Sequence, residues 1–178
     1  MIMTNQILLS GFGGQGILFA GKFLAYDGLI EEREVSWLPS YGPEMRGGTC
    51  NCSVIFSDTK IGSPIVSNPD ILIAMNLPSL DKFESAAVPG AKIFVDSSLI
   101  DRKVGRDDVE AYYIPATRIA SDENLSGLAN MIMIGHMIKK TGIMTFENVE
   151  RAMKKLVPAK KQNLIELNIK AVELGYNY

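Results

Sequence analysis

Leu8-Leu9-Ser10-Gly11-Phe12-Gly13-Gly14-Gln15-Gly16-Ile17 decides how the chain is read: an apolar run ends in four glycines within six residues, and an apolar helical pattern comes next without a gap. Ile7, Leu8 and Leu9 suit a buried strand, and the glycines allow positive φ and close approach of backbone to backbone or ligand. Ile17, Ala20, Gly21, Leu24 and Ala25 recur at helical spacing, which predicts a helix with one apolar face stopping at Gly28. Strand, glycine turn and helix in succession aim free backbone N–H groups and the positive end of a helix dipole at one spot, where an anion can sit.

GFGGQG contains G-x-G-x-x-G, the spacing of a dinucleotide turn. A dinucleotide site also needs a carboxylate about 20 residues on, at the end of the second strand, to take the ribose hydroxyls. That count lands in Val35-Ser36-Trp37-Leu38-Pro39, which has none, while Glu31, Glu32 and Glu34 come too early. The turn therefore reads as a dinucleotide site without its second anchor, as a packing or interface turn, or as a site for another ligand.

At 178 residues and 47% hydrophobic, the chain suits a single domain over 1–178. A formal charge of -2 gives no electrostatic footprint for nucleic acid or an anionic membrane. The amino end lacks the pattern of a signal peptide, and Leu128 to Ile138, the most apolar later stretch, is too short to span a bilayer. A soluble cytoplasmic protein is expected. Its two cysteines, Cys50 and Cys52, and one histidine, His136, are too few for an iron–sulfur or structural zinc site, so no metal is expected. Two buried thiols and a core or interface histidine are the plainer reading.

Glu34 to Leu38 reads as a short strand ending at Pro39, followed by the shaped loop Ser40-Tyr41-Gly42-Pro43-Glu44-Met45-Arg46-Gly47-Gly48. Cys50, Cys52, Val54 and Phe56 then alternate with Thr49, Asn51 and Ser53 as in a half-exposed strand, which should pair back with a short strand near Ile61. Ile71–Met75 is a continuous apolar run suited to a strand buried on both faces of a parallel sheet, Lys92–Asp96 is another buried strand that finishes in Asp96, and Ala111–Ile114 is a further candidate. Asn76 and Asp96 stand at strand ends, where ligands bind in open α/β sheets, or else cap the next helix or hold a turn. Helices are expected over Leu77 to Ala87, from Asn124 to Gly142, after a Thr145 cap, and from Lys160 to Leu174. Lys154, Lys155, Lys160 and Lys161 read as a solvated face.

This order describes an α/β, Rossmann-like fold: a mostly parallel sheet with helices on both faces, a β-hairpin insertion and C-terminal helices. The insertion between Pro39 and Pro69 replaces the ordinary crossover helix, and its loop would lie near the glycine turn. Within that loop Arg46 can grip a phosphate or carboxylate with two parallel hydrogen bonds, or pair with Glu44 or a partner chain. The chain has no recognisable catalytic triad, Walker loop or metal cluster, and no catalytic residue is expected in it alone.

GFGGQG and SYGPEMRGG, with the continuation TCNCSVIFSD and the later SNPDILIAMN, together resemble the gamma subunit, or gamma domain, of the 2-oxoacid:ferredoxin (acceptor) oxidoreductases, from about Ile7 to the C-terminal helices. The resemblance implies a subunit of a complex that converts a 2-oxoacid and coenzyme A to acyl-CoA and carbon dioxide while reducing ferredoxin. Thiamine diphosphate with Mg2+ and the [4Fe-4S] clusters would belong to alpha, beta and, where present, a ferredoxin-like delta subunit. The gamma component would support assembly and help hold coenzyme A. Carried onto this sequence, Gly11, Gly13, Gly14, Gln15 and Gly16 match the first motif. Tyr41, Gly42, Pro43, Glu44, Arg46, Gly47 and Gly48 match the second, and both sets would face the coenzyme or a partner. PEMR fits the 2-oxoglutarate and branched-chain forms better than the pyruvate form. Isolated, such a chain would be inactive and self-associating. The competing readings are an independent nucleotide-binding oxidoreductase and a pure scaffold.

Overall fold

The computed structural model describes residues 3–40 and 49–178. The elements run β1 (Thr4–Phe12), α1 (Ile17–Ile30), β2 (Glu34–Ser40), β3 (Thr49–Ser57), β4 (Ile71–Ala74), α2 (Leu77–Phe83), β5 (Lys92–Asp96), β6 (Glu110–Ile114), α3 (Ala116–Asp122), α4 (Ala129–Thr141), α5 (Val149–Leu156) and α6 (Gln162–Tyr176). One six-stranded sheet has the order β2-β3-β1-β4-β5-β6. Pairing is parallel from β1 through β4 and β5 to β6, and antiparallel on both sides of β3, so β3 alone runs against the others.

Strand alternation divides the core. Ile7, Leu9, Cys52, Val54, Phe56, Ile71, Ile73 and Phe94 face the side covered by α1, α4, α5 and α6. Leu8, Ile55, Leu72, Ala74, Ile93 and Val95 face the other side, which Leu80 of α2 and loop residues such as Val66 and Ile100 close. Because Ile55 is buried on that second side, β3 is covered on both faces and not half exposed. The expected α/β architecture is present, with most of its helices on one face. Among the described residues no helix is long and apolar enough to cross a membrane.

Several boundaries differ from expectation. The hairpin is β2 with β3, Glu34 opposite Ser57 and Ser40 opposite Asn51, and the residues around Ile61 form no strand. One apolar residue between Lys60 and Gly62 could not outweigh the long complementary strand already available. Pro39 lies within β2, where it is tolerated because β2 is a sheet edge. Gly28 does not stop α1, which continues to Ile30; a Cβ on it would meet Phe56 Cε1 at 2.7 Å and Val35 Cγ2 at 2.8 Å. That glycine is there for close helix–sheet packing. α2 ends at Phe83 and gives way to a 3-10 turn over Glu84–Ala86. α3 has no counterpart among the expected helices, and α4 starts at Ala129 rather than near Asn124, because residues between the two helices form a turn around Gly127, φ 84°. Thr145 makes no side-chain cap; instead Glu31 Oε1 accepts the Thr145 N–H at 2.6 Å, so the end of α1 holds the start of the α5 segment. α6 runs from Gln162 to Tyr176 behind a 3-10 turn over Ala159–Lys161.

Candidate cleft at the carboxyl edge of the sheet

β1 delivers Gly11 to the edge, where the chain turns into α1. Gly14 and Gly16 adopt φ 99° and 73°, a region that side chains resist, which is why glycine stands at both. Gly11 is needed for space: a Cβ there would meet Gln15 Oε1 at 2.6 Å and Ile17 Cδ1 at 2.8 Å. Gln15 itself is a pin. Its Oε1 accepts the Phe12 N–H at 2.6 Å and its Nε2 donates to the Met75 carbonyl at 3.0 Å, tying the turn to the end of β4. From the far end of the chain, Asn130 Nδ2 donates to the Gly16 carbonyl at 3.0 Å. Replacing Gln15 by alanine removes two bonds in a part-buried site and should cost about 1–3 kcal/mol in denaturant unfolding; an unchanged midpoint would show that the pin is idle.

The turn borders a cleft of about 460 Å³ formed by Gly14 and Gln15, Met75, Leu99, Thr117 and Ser121 of α3, and the segment Asn124 to Ala129. α1 and α4 begin beside it, at Gly16 and Leu128, and neither N-cap makes a side-chain cap bond. Ala129 at the start of α4, with Ser121 and Ser126, lines the solvent-open space, and both positive helix ends lie next to it. A phosphate or carboxylate suits that lining.

Asn76 and Asp96, the polar residues at strand ends, are structural. Asn76 Oδ1 accepts the Ser79 N–H at 2.8 Å and caps α2. Asp96, fully buried, accepts the Ser98 N–H at 3.0 Å and, through Oδ2, the Thr117 hydroxyl at 2.6 Å and N–H at 3.2 Å. It fixes the amino end of α3 and so one wall of the cleft. His136 does not line the cleft; it is 3% exposed on α4, edge-on to Phe94, Tyr112 and Tyr178, and burial pushes its pKa down. Cys50 and Cys52 are buried on the helix-covered side, and burial pushes the Cys52 thiol up to about 12. Among the described residues no group of three or more Cys, His, Asp or Glu side chains is placed to hold a metal ion.

Tyr41, Gly42, Pro43, Glu44, Arg46, Gly47 and Gly48 lie outside the described residues. Their neighbours Ser40 and Thr49 are within them, and Thr49 pairs with Phe12, directly before the glycine turn. In a dinucleotide-binding fold the second strand lies parallel beside the first and ends in the ribose carboxylate. Here antiparallel β3 takes that place, and β2 is the outer edge, ending in Leu38-Pro39-Ser40. The described residues therefore offer no carboxylate beside β1 at the ribose position.

Fold and edge define a Rossmann-like α/β domain in which a hairpin has replaced the ribose-binding half of a dinucleotide site. The model of the pyruvate ferredoxin/flavodoxin oxidoreductase family matches residues 6–178, and the chain belongs to that family, as a gamma-type component. It is 39% identical over 177 residues to the 2-oxoglutarate synthase subunit KorC of Methanocaldococcus jannaschii, covering 98% of this chain and 93% of that one. It is 38% identical over 170 residues to the ketoisovalerate oxidoreductase subunit VorA of Methanothermobacter thermautotrophicus, covering 96% of this chain but 35% of VorA. The chain thus spans about a third of the VorA relatives. The gamma subunit of a keto/oxoacid ferredoxin oxidoreductase from Geobacter sulfurreducens superposes with TM-score 0.82 at 29% identity, covering 97% of this chain and 96% of that one. A 2-oxoglutarate:ferredoxin oxidoreductase from Magnetococcus marinus, bound to 2-oxoglutarate, coenzyme A and succinyl-CoA, shares the fold with TM-score 0.86 at 20% identity, over 98% of this chain and 30% of that one.

Proposed function

We propose that residues 1–178 form one domain that serves, in the cytoplasm, as the gamma component of a 2-oxoacid:ferredoxin oxidoreductase, joining the catalytic subunits and offering part of the coenzyme A site. The complex would oxidatively decarboxylate a 2-oxoacid to acyl-CoA, passing electrons to ferredoxin. Thiamine diphosphate, Mg2+ and the iron–sulfur clusters would be held by alpha, beta and delta partners, since Cys50 and Cys52 do not fit cluster ligation.

The observation that carries the reading is the cleft between the glycine turn and α4. The uncapped helix ends beside it, with Ala129 of α4 in its lining, can favour a coenzyme phosphate without supplying reactive groups. Gly14 keeps the wall low, with open space around the position of its missing Cβ. Phe12, Leu77 and Leu99, at or just beyond the ends of β1, β4 and β5, are 39%, 39% and 45% exposed along the same edge, an apolar rim suited to a protein partner. The motif residues Tyr41–Gly48, with Arg46 as the charged group, are proposed to complete this edge, because the chain leaves the sheet at Ser40 and returns at Thr49.

Placing a carboxylate at the mouth of the cleft tests the proposal. In the assembled complex, Ser126→Glu should raise KM for coenzyme A about three- to tenfold by repelling its phosphates, with kcat and assembly unchanged. An unchanged KM would remove the cleft from the coenzyme site. Loss of the complex on gel filtration would assign it to the interface instead, the outcome expected of a pure scaffold.

A further inference from the structure

β2 is the outer strand on the hairpin side of the sheet, and the bonds of the inner strands fix which way its backbone faces. The Gln6 and Ser10 carbonyls accept from the Asp70 and Met75 N–H groups, so even-numbered residues of β1 turn their backbone toward β4 and odd-numbered ones toward β3. Ile7, Leu9 and Gly11 stand opposite Val54, Cys52 and Cys50, which leaves Asn51, Ser53, Ile55 and Ser57 to bond with β2. Their partners there are Ser40, Leu38, Ser36 and Glu34. By the alternation of an antiparallel ladder, the N–H groups of Val35 and Trp37 and the carbonyls of Val35, Trp37 and Pro39 therefore point away from the sheet. Among the described residues no strand lies beyond them and no backbone group outside the ladder bonds to them.

An open edge is a template for another strand, and sheet proteins blunt theirs with charged side chains. Val35-Ser36-Trp37-Leu38-Pro39-Ser40 carries none, and Leu38 on it is 38% exposed. This stretch is complementary to itself about a two-fold axis through Trp37. In that register the two Trp37 residues exchange both backbone bonds, and each Val35 N–H donates to the Pro39 carbonyl of the other copy. Pro39, which has no N–H, is asked only to accept. Leu38 falls opposite Ser36, so the two Leu38 side chains meet diagonally across the axis, and Glu34 falls opposite Ser40, far from its own counterpart. Moving the axis to Ser36 would set Glu34 against Leu38, and moving it to Pro39 would oppose two residues without donors. One register thus satisfies both the backbone and the side chains.

We propose that the β2 edge binds a second copy of this chain, strand to strand and antiparallel, joining the two sheets into one. The contact uses the same residues on both copies, so it closes at a dimer and consumes the edge that made it. β3 stands between β2 and β1, the strand that carries the glycine turn, so the interface does not draw on the coenzyme cleft or depend on its assignment.

Sedimentation equilibrium of the isolated full chain should show a reversible monomer–dimer equilibrium in the micromolar range, as befits a short contact. Leu38→Lys and Ser36→Glu each place like charges across the axis and should each weaken the dimer about tenfold. Mixed in equal amounts, the two variants should associate again, because position 38 of one copy faces position 36 of the other and the introduced charges are then opposite. Should either variant fail to fold, amide hydrogen exchange in the parent chain decides: the Val35 and Trp37 N–H groups should exchange more slowly as concentration rises through the dimer range. A strict monomer, a dimer that neither variant weakens, weakened variants that do not recover on mixing, or exchange at Val35 and Trp37 that ignores concentration would each overturn the proposal. So would protection of those amides in the assembled complex alone, which would give the edge to a strand of another subunit.

Discussion

Gly135→Ala should lower the melting temperature by about 10 °C or more, from a loss on the order of 3–5 kcal/mol. α4 and α6 touch backbone to backbone: a Cβ on Gly135 would fall on the Val172 carbonyl, and one on Gly175 on the Ile132 carbonyl. No flexible side chain is available to move aside, so one helix must shift and the interdigitated residues around it lose contact. Ile132, Met133, Ala171 and Val172 are all fully buried there. The displacement would reach the glycine turn, since Asn130 sits at the start of α4 and holds Gly16. Gly62→Ala is the control: nothing lies within 4 Å of its Cβ position, and its melting temperature should stay within about 2 °C of the parent. Equal behaviour of the two variants, followed by circular dichroism, would show that the helices are not in backbone contact.

The sheet is legible in the sequence because strands buried on both faces write themselves as unbroken apolar runs, as Ile71–Ala74 does in full and Ile93–Val95 does within β5. The hairpin partner is not legible, because strand pairing is a matter of register between segments, which local alternation does not encode. α3 is hidden for a different reason. It has seven residues, only Ala116 and Ala120 are buried, and its anchor is the carboxylate of Asp96 from another strand, so little of its stability is written in its own stretch.

At the candidate cleft, GFGGQG marks the turn but not its supports. Gln15 occupies a motif position, yet the structure shows both ends of its amide bonded within the chain, which makes it a positioning residue for the turn. Asn130 gives no signal at all, because it lies 114 residues from Gly16 and reads locally as an interruption in an apolar helix. Gly28 shows the same limit from the other side. A glycine near a helix end looks like a stop, whereas here a neighbouring ring and a valine methyl occupy the space a side chain would need.

Asp27 carries the last and most condition-dependent expectation. It lies on the inner face of α1, fully buried, and neither carboxylate oxygen has a hydrogen-bond partner. Burial raises its pKa from 3.8 to about 7, with the Glu31 carboxylate one turn on adding to the rise and Arg151 of α5 opposing it. In the unfolded chain the same group titrates near 3.9. Below that value both states are protonated and burial carries no ionisation cost. As pH rises from about 4 to 7 the unfolded state gives up the proton first, so stability falls, and above about 7 the full loss is in place. A difference of this size is worth about 2–4 kcal/mol. Asp27→Asn removes the ionisation and keeps the shape, so it should flatten this dependence, gaining about 2–4 kcal/mol on the parent at pH 8 and little at pH 4. Urea unfolding at both pH values measures it. Parallel curves for parent and variant would mean that Asp27 finds a partner when ionised, and Arg151, across the α1 and α5 contact, is the cation placed to supply it.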